Sequence, residues 1–231
     1  MRILGLVYIA ALHAVVAMAL LRPDLVDAQR WRAAWLQPEP SAYVVQSHRL
    51  LRAIDADAEA GRLLLIGDSQ MQRLDGAALE LPAYNFGIGG DTMRHIARRL
   101  GDYRQPGAAR AVVLWAGVND LLHGREPEAV RAAFENAQRA VPAETPLWLL
   151  SIAPIASRPA RPGLQAKIAR TNALLARACR GRCRFVDLNA RLAGEGSALR
   201  PAYDSGDGLH LNRAGHLAVS TAINGLAASA S

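Results

Sequence analysis

The sequence predicts a doubly wound α/β fold, a five-stranded parallel sheet sandwiched between helices, and two observations predict it. From Arg62 onward short apolar runs recur, and the first, Leu63 to Ile66, stops abruptly at Gly67, the size of one strand covered on both faces. Between these runs lie longer stretches whose apolar residues follow a helical period, and strand alternating with helix implies crossover connections and a parallel sheet.

Taken in order, residues 1–22 are an apolar segment. Its core, residues 3–21, is bracketed by Arg2 in front and Arg22-Pro23 behind, and as a helix it would span about 28 Å, near the hydrocarbon thickness of a bilayer. The expectation is an N-terminal hydrophobic helix, either an uncleaved membrane anchor or a long signal peptide. Ala17-Met18-Ala19 and Val26-Asp27-Ala28 offer small-residue cleavage patterns, while the length favours the anchor. Both readings attach the chain to a membrane through residues 3–21 or export it, so the remainder is expected at a bacterial-type inner membrane facing the periplasm, or outside. Residues 23–60 read as a tether carrying Trp31, Trp35, Pro38 and Pro40, followed by a packing helix over 41–58 with Val44, Val45, Leu50, Leu51 and Ile54 on one face.

Residues 61–228 form the domain proper. Strands are expected at 63–66, 83–86, 111–115, 147–152 and 184–188, and helices at 71–79, 92–100, 127–140, 163–178 and 212–227. The composition, 51% hydrophobic, excludes a disordered chain. The net charge of +7 is carried by arginine, since Lys167 is the only lysine. Arginine suits anionic partners, but no basic block and no aromatic–basic pattern appears, so nucleic acid is not expected. Cys179 and Cys183 lack the second pair or nearby histidines of a zinc site. They are either a small disulfide or free thiols.

Doubly wound sheets place their sites at the carboxyl ends of strands. The segments there are Gly67-Asp68-Ser69 after the first strand, Gly87-Ile88-Gly89-Gly90-Asp91-Thr92 after the second and Gly117-Val118-Asn119-Asp120 after the third. Asp207-Gly208-Leu209-His210 precedes the last helix. Each has a plainer reading: Asp68 and Ser69 as helix caps, Asn119 and Asp120 as a turn or helix start. The glycine loop lacks the third glycine of a dinucleotide fingerprint and the lysine of a phosphate loop. Together the four segments hold what acyl transfer from oxygen needs. Ser69 is a hydroxyl nucleophile, His210 the base that activates it, and Asp207 the acid that orients the imidazole. The backbone N–H groups of Ser69 and Gly90, with the Asn119 amide, are the available oxyanion donors. Asp204 competes with Asp207 at a longer offset from His210.

These four blocks, in this order, resemble those of the SGNH hydrolases, also called GDSL esterases and lipases. Asn85-Phe86-Gly87-Ile88-Gly89-Gly90-Asp91-Thr92 is similar to the branch containing platelet-activating-factor acetylhydrolase catalytic subunits. The resemblance covers about residues 62–226. It implies a flavodoxin-like domain, Ser69 as nucleophile, Gly90 and Asn119 as oxyanion donors, Asp207 and His210 as acid and base, and no metal or organic cofactor. It implies a serine esterase acting on small acyl esters, acetyl in particular, of a carbohydrate or lipid. A transferase passing the acyl group to a sugar hydroxyl and a non-catalytic anchored binding module are the alternatives. Gln70 stands where the family name has leucine, a position expected to have no chemical role.

Overall fold

In the computed structural model the described residues are 40–158 and 161–229, with His13 and Ala17 ahead of them. The chain divides into two units, Met1–Glu39 and Pro40–Ser231, and the second is described below. The expected hydrophobic helix over 3–21 and the tether before Pro40 lie outside the described residues, apart from His13 and Ala17. Among the described residues no helix is long and apolar enough to cross a membrane.

Five strands, β1 (Leu63–Gly67), β2 (Ala83–Gly87), β3 (Ala111–Trp115), β4 (Leu147–Leu150) and β5 (Cys183–Val186), form one parallel sheet of order β2-β1-β3-β4-β5. This is the flavodoxin-like order, with the connection reversing direction at β1 and β3. The helices that frame the sheet and the site are α1 (Ala42–Ala56), α2 (Ser69–Gln72), α3 (Met93–Arg99), α4 (Val118–Leu122), α5 (Pro127–Ala140), α6 (Leu164–Ala178) and α7 (Arg213–Ser229), and single helical turns at Gln105–Ala108 and Asn189–Leu192 and several 3₁₀ turns lie between them.

The uniform apolar runs are explained by what each face meets. Leu64, Ile66, Val112, Leu114, Leu147 and Leu149 join one core with residues of α3, α5 and α6. Their neighbours Leu63, Leu65, Val113, Trp115, Trp148 and Leu150 join a second with Val219, Ala222, Ile223 and Ala227 of α7. Successive side chains point to opposite faces of a strand, so a strand between two helical layers must be apolar throughout. Each fully buried leucine or isoleucine contributes about 1.5–3 kcal/mol relative to exposure.

Register places Gly67, Gly87 and Trp115 side by side, so β1, β2 and β3 end at one level. Gly67 is required there by close approach: a Cβ on it would stand 2.1 Å from the Trp115 carbonyl oxygen.

Two expected elements come out shorter. The helix over 71–79 is a single turn, α2, followed by a 3₁₀ turn at Gly76–Ala78. The Asn85 side-chain amide donates to the carbonyls of Met71 and Leu74, which a continuing helix would have used itself. Asp75 then caps Ala77. The strand over 147–152 stops at Leu150, because the Asn172 side chain bonds both the N–H and the carbonyl of Ile152 and takes the place of a neighbouring strand. The last strand lies at 183–186, where 184–188 was expected. Cys179 and Cys183 form a disulfide between α6 and β5, with Cα atoms 5.1 Å apart.

Candidate active site

Ser69 is the first residue of α2, directly beyond the end of β1. Asp68 caps that helix by accepting the N–H of Gln70 at 2.9 Å, so the capping reading holds for Asp68 while Ser69 is left free to project. The Asp68 carboxyl is buried, which pushes its pKa up to about 7. The Gln70 N–H opposes that rise, while repulsion from Asp91 and Asp120 adds to it.

The loop before α7 brings His210 to Ser69. Ser69 Oγ lies 2.9 Å from His210 Nε2, and His210 Nδ1 lies 2.6 Å from Asp207 Oδ2. The second Asp207 oxygen accepts the backbone N–H groups of Leu209 and His210, both at 2.8 Å. Acid and base are therefore locked together within one turn of chain. Desolvation alone would raise the Asp207 pKa. The bonds from the His210 ring and from the two N–H groups, with the His210 charge, outweigh it and hold the carboxyl well below the usual range. Asp204 accepts the N–H groups of Gly206 and Gly208, so it shapes the loop, and Asp207 is the carboxylate on the imidazole.

The glycine loop approaches from the other side. Gly90 has φ +78, a conformation that favours glycine, and a Cβ there would meet nothing within 4 Å. Among the described residues no acceptor takes the N–H of Ser69 or of Gly90. Asn119, in α4, donates one Nδ2 hydrogen to the Asp91 carbonyl at 2.9 Å and retains a second. Beneath the loop, buried Arg99 donates to Asp91 at 2.7 Å and to the Phe86 and Gly67 carbonyls, and Asp120 accepts the Met93 N–H.

Ser69 and Asn119 thus lie in short helices directly after β1 and β3, Gly90 in the loop after β2, and Asp207 and His210 in the loop before α7. A hydroxyl, an imidazole and a carboxylate stand in one hydrogen-bonded line. Such a set can pass a proton from the hydroxyl to the ring while the carboxylate offsets the ring's charge.

Gln70, at a position expected to have no chemical role, has a structural one that the sequence did not show. It is buried, and its Nε2 donates to the Leu209 carbonyl at 2.8 Å while its Oε1 accepts the Leu211 N–H at 3.3 Å. The position thus has a bonding role that leucine could not perform. The contacts of two further residues escaped the sequence. Gln72 accepts the Gly89 N–H at 2.8 Å and donates to the Tyr43 hydroxyl of α1 at 2.7 Å, and Arg99 pairs with Asp91. For Arg99 the signal was a polar side chain where the pattern asks for an apolar one, three residues after Ile96 on the buried face of α3.

Comparisons with known proteins bear on the family and the fold. The GDSL-like Lipase/Acylhydrolase family matches residues 66–218. Platelet-activating factor acetylhydrolase IB subunit alpha1 of Bos taurus is 28% identical over 185 residues, covering 74% of this chain and 77% of the relative. Among solved structures, a GDSL-like lipase from Bacteroides thetaiotaomicron superposes with a TM-score of 0.67 at 19% identity, covering 80% of this chain and 98% of its own. A carbohydrate acetylesterase from Sinorhizobium meliloti gives 0.57 at 15% identity, over 73% and 99%. By the span of the family match, supported by the order of its sheet, this chain belongs to the GDSL-like lipase and acylhydrolase family and is an esterase-type enzyme.

Proposed function

We propose that the protein is a serine esterase removing small acyl groups, acetyl foremost, from a carbohydrate or lipid ester. The observation that carries this reading is the line Ser69 Oγ, His210 Nε2, His210 Nδ1, Asp207 Oδ2, with contacts of 2.9 and 2.6 Å.

In the first half-reaction Ser69 Oγ attacks the ester carbonyl as its proton passes to His210 Nε2. Asp207 holds the Nδ1–H and offsets the imidazolium charge. The oxyanion of the tetrahedral intermediate meets the N–H groups of Ser69 and Gly90 and the spare Asn119 hydrogen. One such donor is worth roughly 10²–10³ in rate. Collapse breaks the ester bond, the leaving alcohol takes the proton from His210, and an acyl-Ser69 ester remains. Water then attacks this ester with His210 again as base, releasing the carboxylic acid and restoring the hydroxyl.

The substrate class rests on chemistry around the site. Ser69 is half-buried and Gly90 exposed, with open space above the latter, which suits a small acyl group on a bulky alcohol. Relatives named for acetyl esters on a lipid and on carbohydrate support the same acyl group. The apolar segment 3–21 and the Cys179–Cys183 disulfide support an exported or membrane-held enzyme in an oxidising compartment.

The test is hydrolysis of p-nitrophenyl acetate, butyrate and octanoate by the full chain in detergent, beside Ser69→Ala and a fluorophosphonate probe. The expected result is Ser69-dependent labelling, fastest turnover of acetate, and loss of both in a folded Ser69→Ala protein. Comparable turnover by Ser69→Ala would overturn the mechanism. A preference for octanoate would overturn the acyl assignment alone.

A further inference from the structure

The His210–Asp207 pair is bonded within its own loop, four residues long from Asp207 to His210, and nothing in that pairing fixes its distance to Ser69. Asp207 is exposed, Leu209 and His210 are half-buried and Gly208 is buried. Arg161 holds the carbonyls of Asp207 and Gly208 from the solvent side, and the Ala156 N–H bonds Gly208. The contacts that tie this loop to the helix carrying the nucleophile come from Gln70. Its amide takes the backbone on both sides of His210, the Leu209 carbonyl on one and the Leu211 N–H on the other.

The geometry points to Gln70 as the positioning residue that docks the His210–Asp207 unit onto Ser69. The inference rests on the proposed catalytic roles of those three residues. The two bonds span residues 139 and 141 positions apart in sequence, so they are a tertiary clamp and not a local turn. A buried amide is costly without partners, and here both its oxygen and its nitrogen are used. Ser69 and Gln70 are adjacent on a one-turn helix, so fixing Gln70 to the loop fixes Ser69 to His210 with little slack. A loss of registry of about 1 Å in such a contact can cost 10²-fold in rate. The clamp also explains why this chain has glutamine where the motif has leucine. Leucine would fill the space between Asp68, Trp115 and Leu209 but would leave the Leu209 carbonyl and the Leu211 N–H without these partners.

Two readouts separate this from a role in stability. In Gln70→Leu the His210–Asp207 bond stays within its own loop, so the base and its orienting acid are retained. Meanwhile kcat for p-nitrophenyl acetate and the rate of fluorophosphonate labelling fall about 10- to 100-fold, with KM within about twofold. Gln70→Glu adds a rescue. A protonated glutamic acid has the same donor and acceptor as glutamine, and the carboxylate has lost the donor. Its labelling rate relative to wild type should therefore rise as pH falls from 8.5 to 5.5. Gln70→Met stands in if the leucine variant does not fold.

Hydrogen exchange at the Leu211 amide tests the clamp without any activity. Exchange should quicken at least tenfold in Gln70→Leu, at a melting temperature within a few degrees of wild type. A wild type that labels at Ser69, beside a folded Gln70→Leu protein with unchanged kcat or unchanged Leu211 exchange, overturns the proposal. A wild type that never labels counts against the proposed chemistry instead, and the exchange result then decides the clamp.

Discussion

Two loops meet at Ser69, and they are held by opposite means. The glycine loop sits on a dry ion pair: Asp91 and Arg99 are both buried, Arg99 also bonds the carbonyls of Gly67 and Phe86, and Asp120 anchors the start of α3. The histidine loop is wet. Half of the Asp207 side chain is exposed, and the loop is supported by short local bonds, by Arg161 and the Ala156 N–H on its carbonyls, and by the Gln70 clamp. The difference follows the work proposed for each. Oxyanion donors act by not moving, so they gain from a rigid, low-dielectric base. A base that takes and returns protons needs contact with water and only has to be held at the right distance.

This contrast predicts that damage to the two loops is felt differently. Arg99→Met would take the arginine partner from buried Asp91, leaving it only the Thr92 N–H and His95 at 3.6 Å, and breaking such a buried pair costs about 3–5 kcal/mol. In a domain of this size that is a fall in melting temperature of roughly 10 °C, readable by circular dichroism. Gln70→Leu on the other side should cost far less stability and more turnover. If the two variants melt alike, the loops are not held as differently as their burial suggests.

Asn119→Ala sharpens the comparison inside the glycine side. It removes one proposed oxyanion donor and one bond to the Asp91 carbonyl, while the Arg99 pair stays. Turnover of p-nitrophenyl acetate should drop by about 10²–10³. The melting temperature should move by only a few degrees, since one such bond is worth about 1 kcal/mol. A large thermal loss with modest kinetic change would make Asn119 part of the scaffold.

The same contrast decides what could be read from sequence. The strands were legible because burial on both faces leaves a uniform apolar run, and Leu63 to Ile66 or Ala111 to Trp115 need no distant information. The motif residues were legible because their spacing is local, as in Asp207 and His210. The length of α2 was not, because it is set by Asn85, whose amide takes carbonyls 11 and 14 positions away. The structural role of Gln70 was missed for the same reason, its partners lying at the far end of the chain. Arg99 looked like one of many surface arginines, although its place after Ile96 on the apolar side of α3 was a sign of burial.

Asp68 stands where the two regimes touch. Its carboxyl repels Asp91 and Asp120 on the dry side and borders, with Gln70 and Leu209, a cavity of about 10 Å³ under the histidine loop. With a folded pKa of about 7 against about 4 when unfolded, the native state holds the proton longer, so Asp68 weakens the fold progressively as pH rises from 4 to 7. Buried His216 works in the opposite sense. Its pKa is lowered to about 4, first by burial and then by Arg73 and His210, so stability is lost as pH falls below about 6.5. The two slopes oppose each other between pH 4 and 6.5, and from there to pH 7 the Asp68 slope is no longer offset by His216. Asp68→Asn keeps an oxygen to accept the Gln70 N–H and removes the titration. It should therefore add roughly 1–3 kcal/mol more stability at pH 8 than at pH 5, measured as urea midpoints at both pH values. An equal effect at both would mean that Asp68 is already solvated through the histidine side, and that the dry region ends at Asp91.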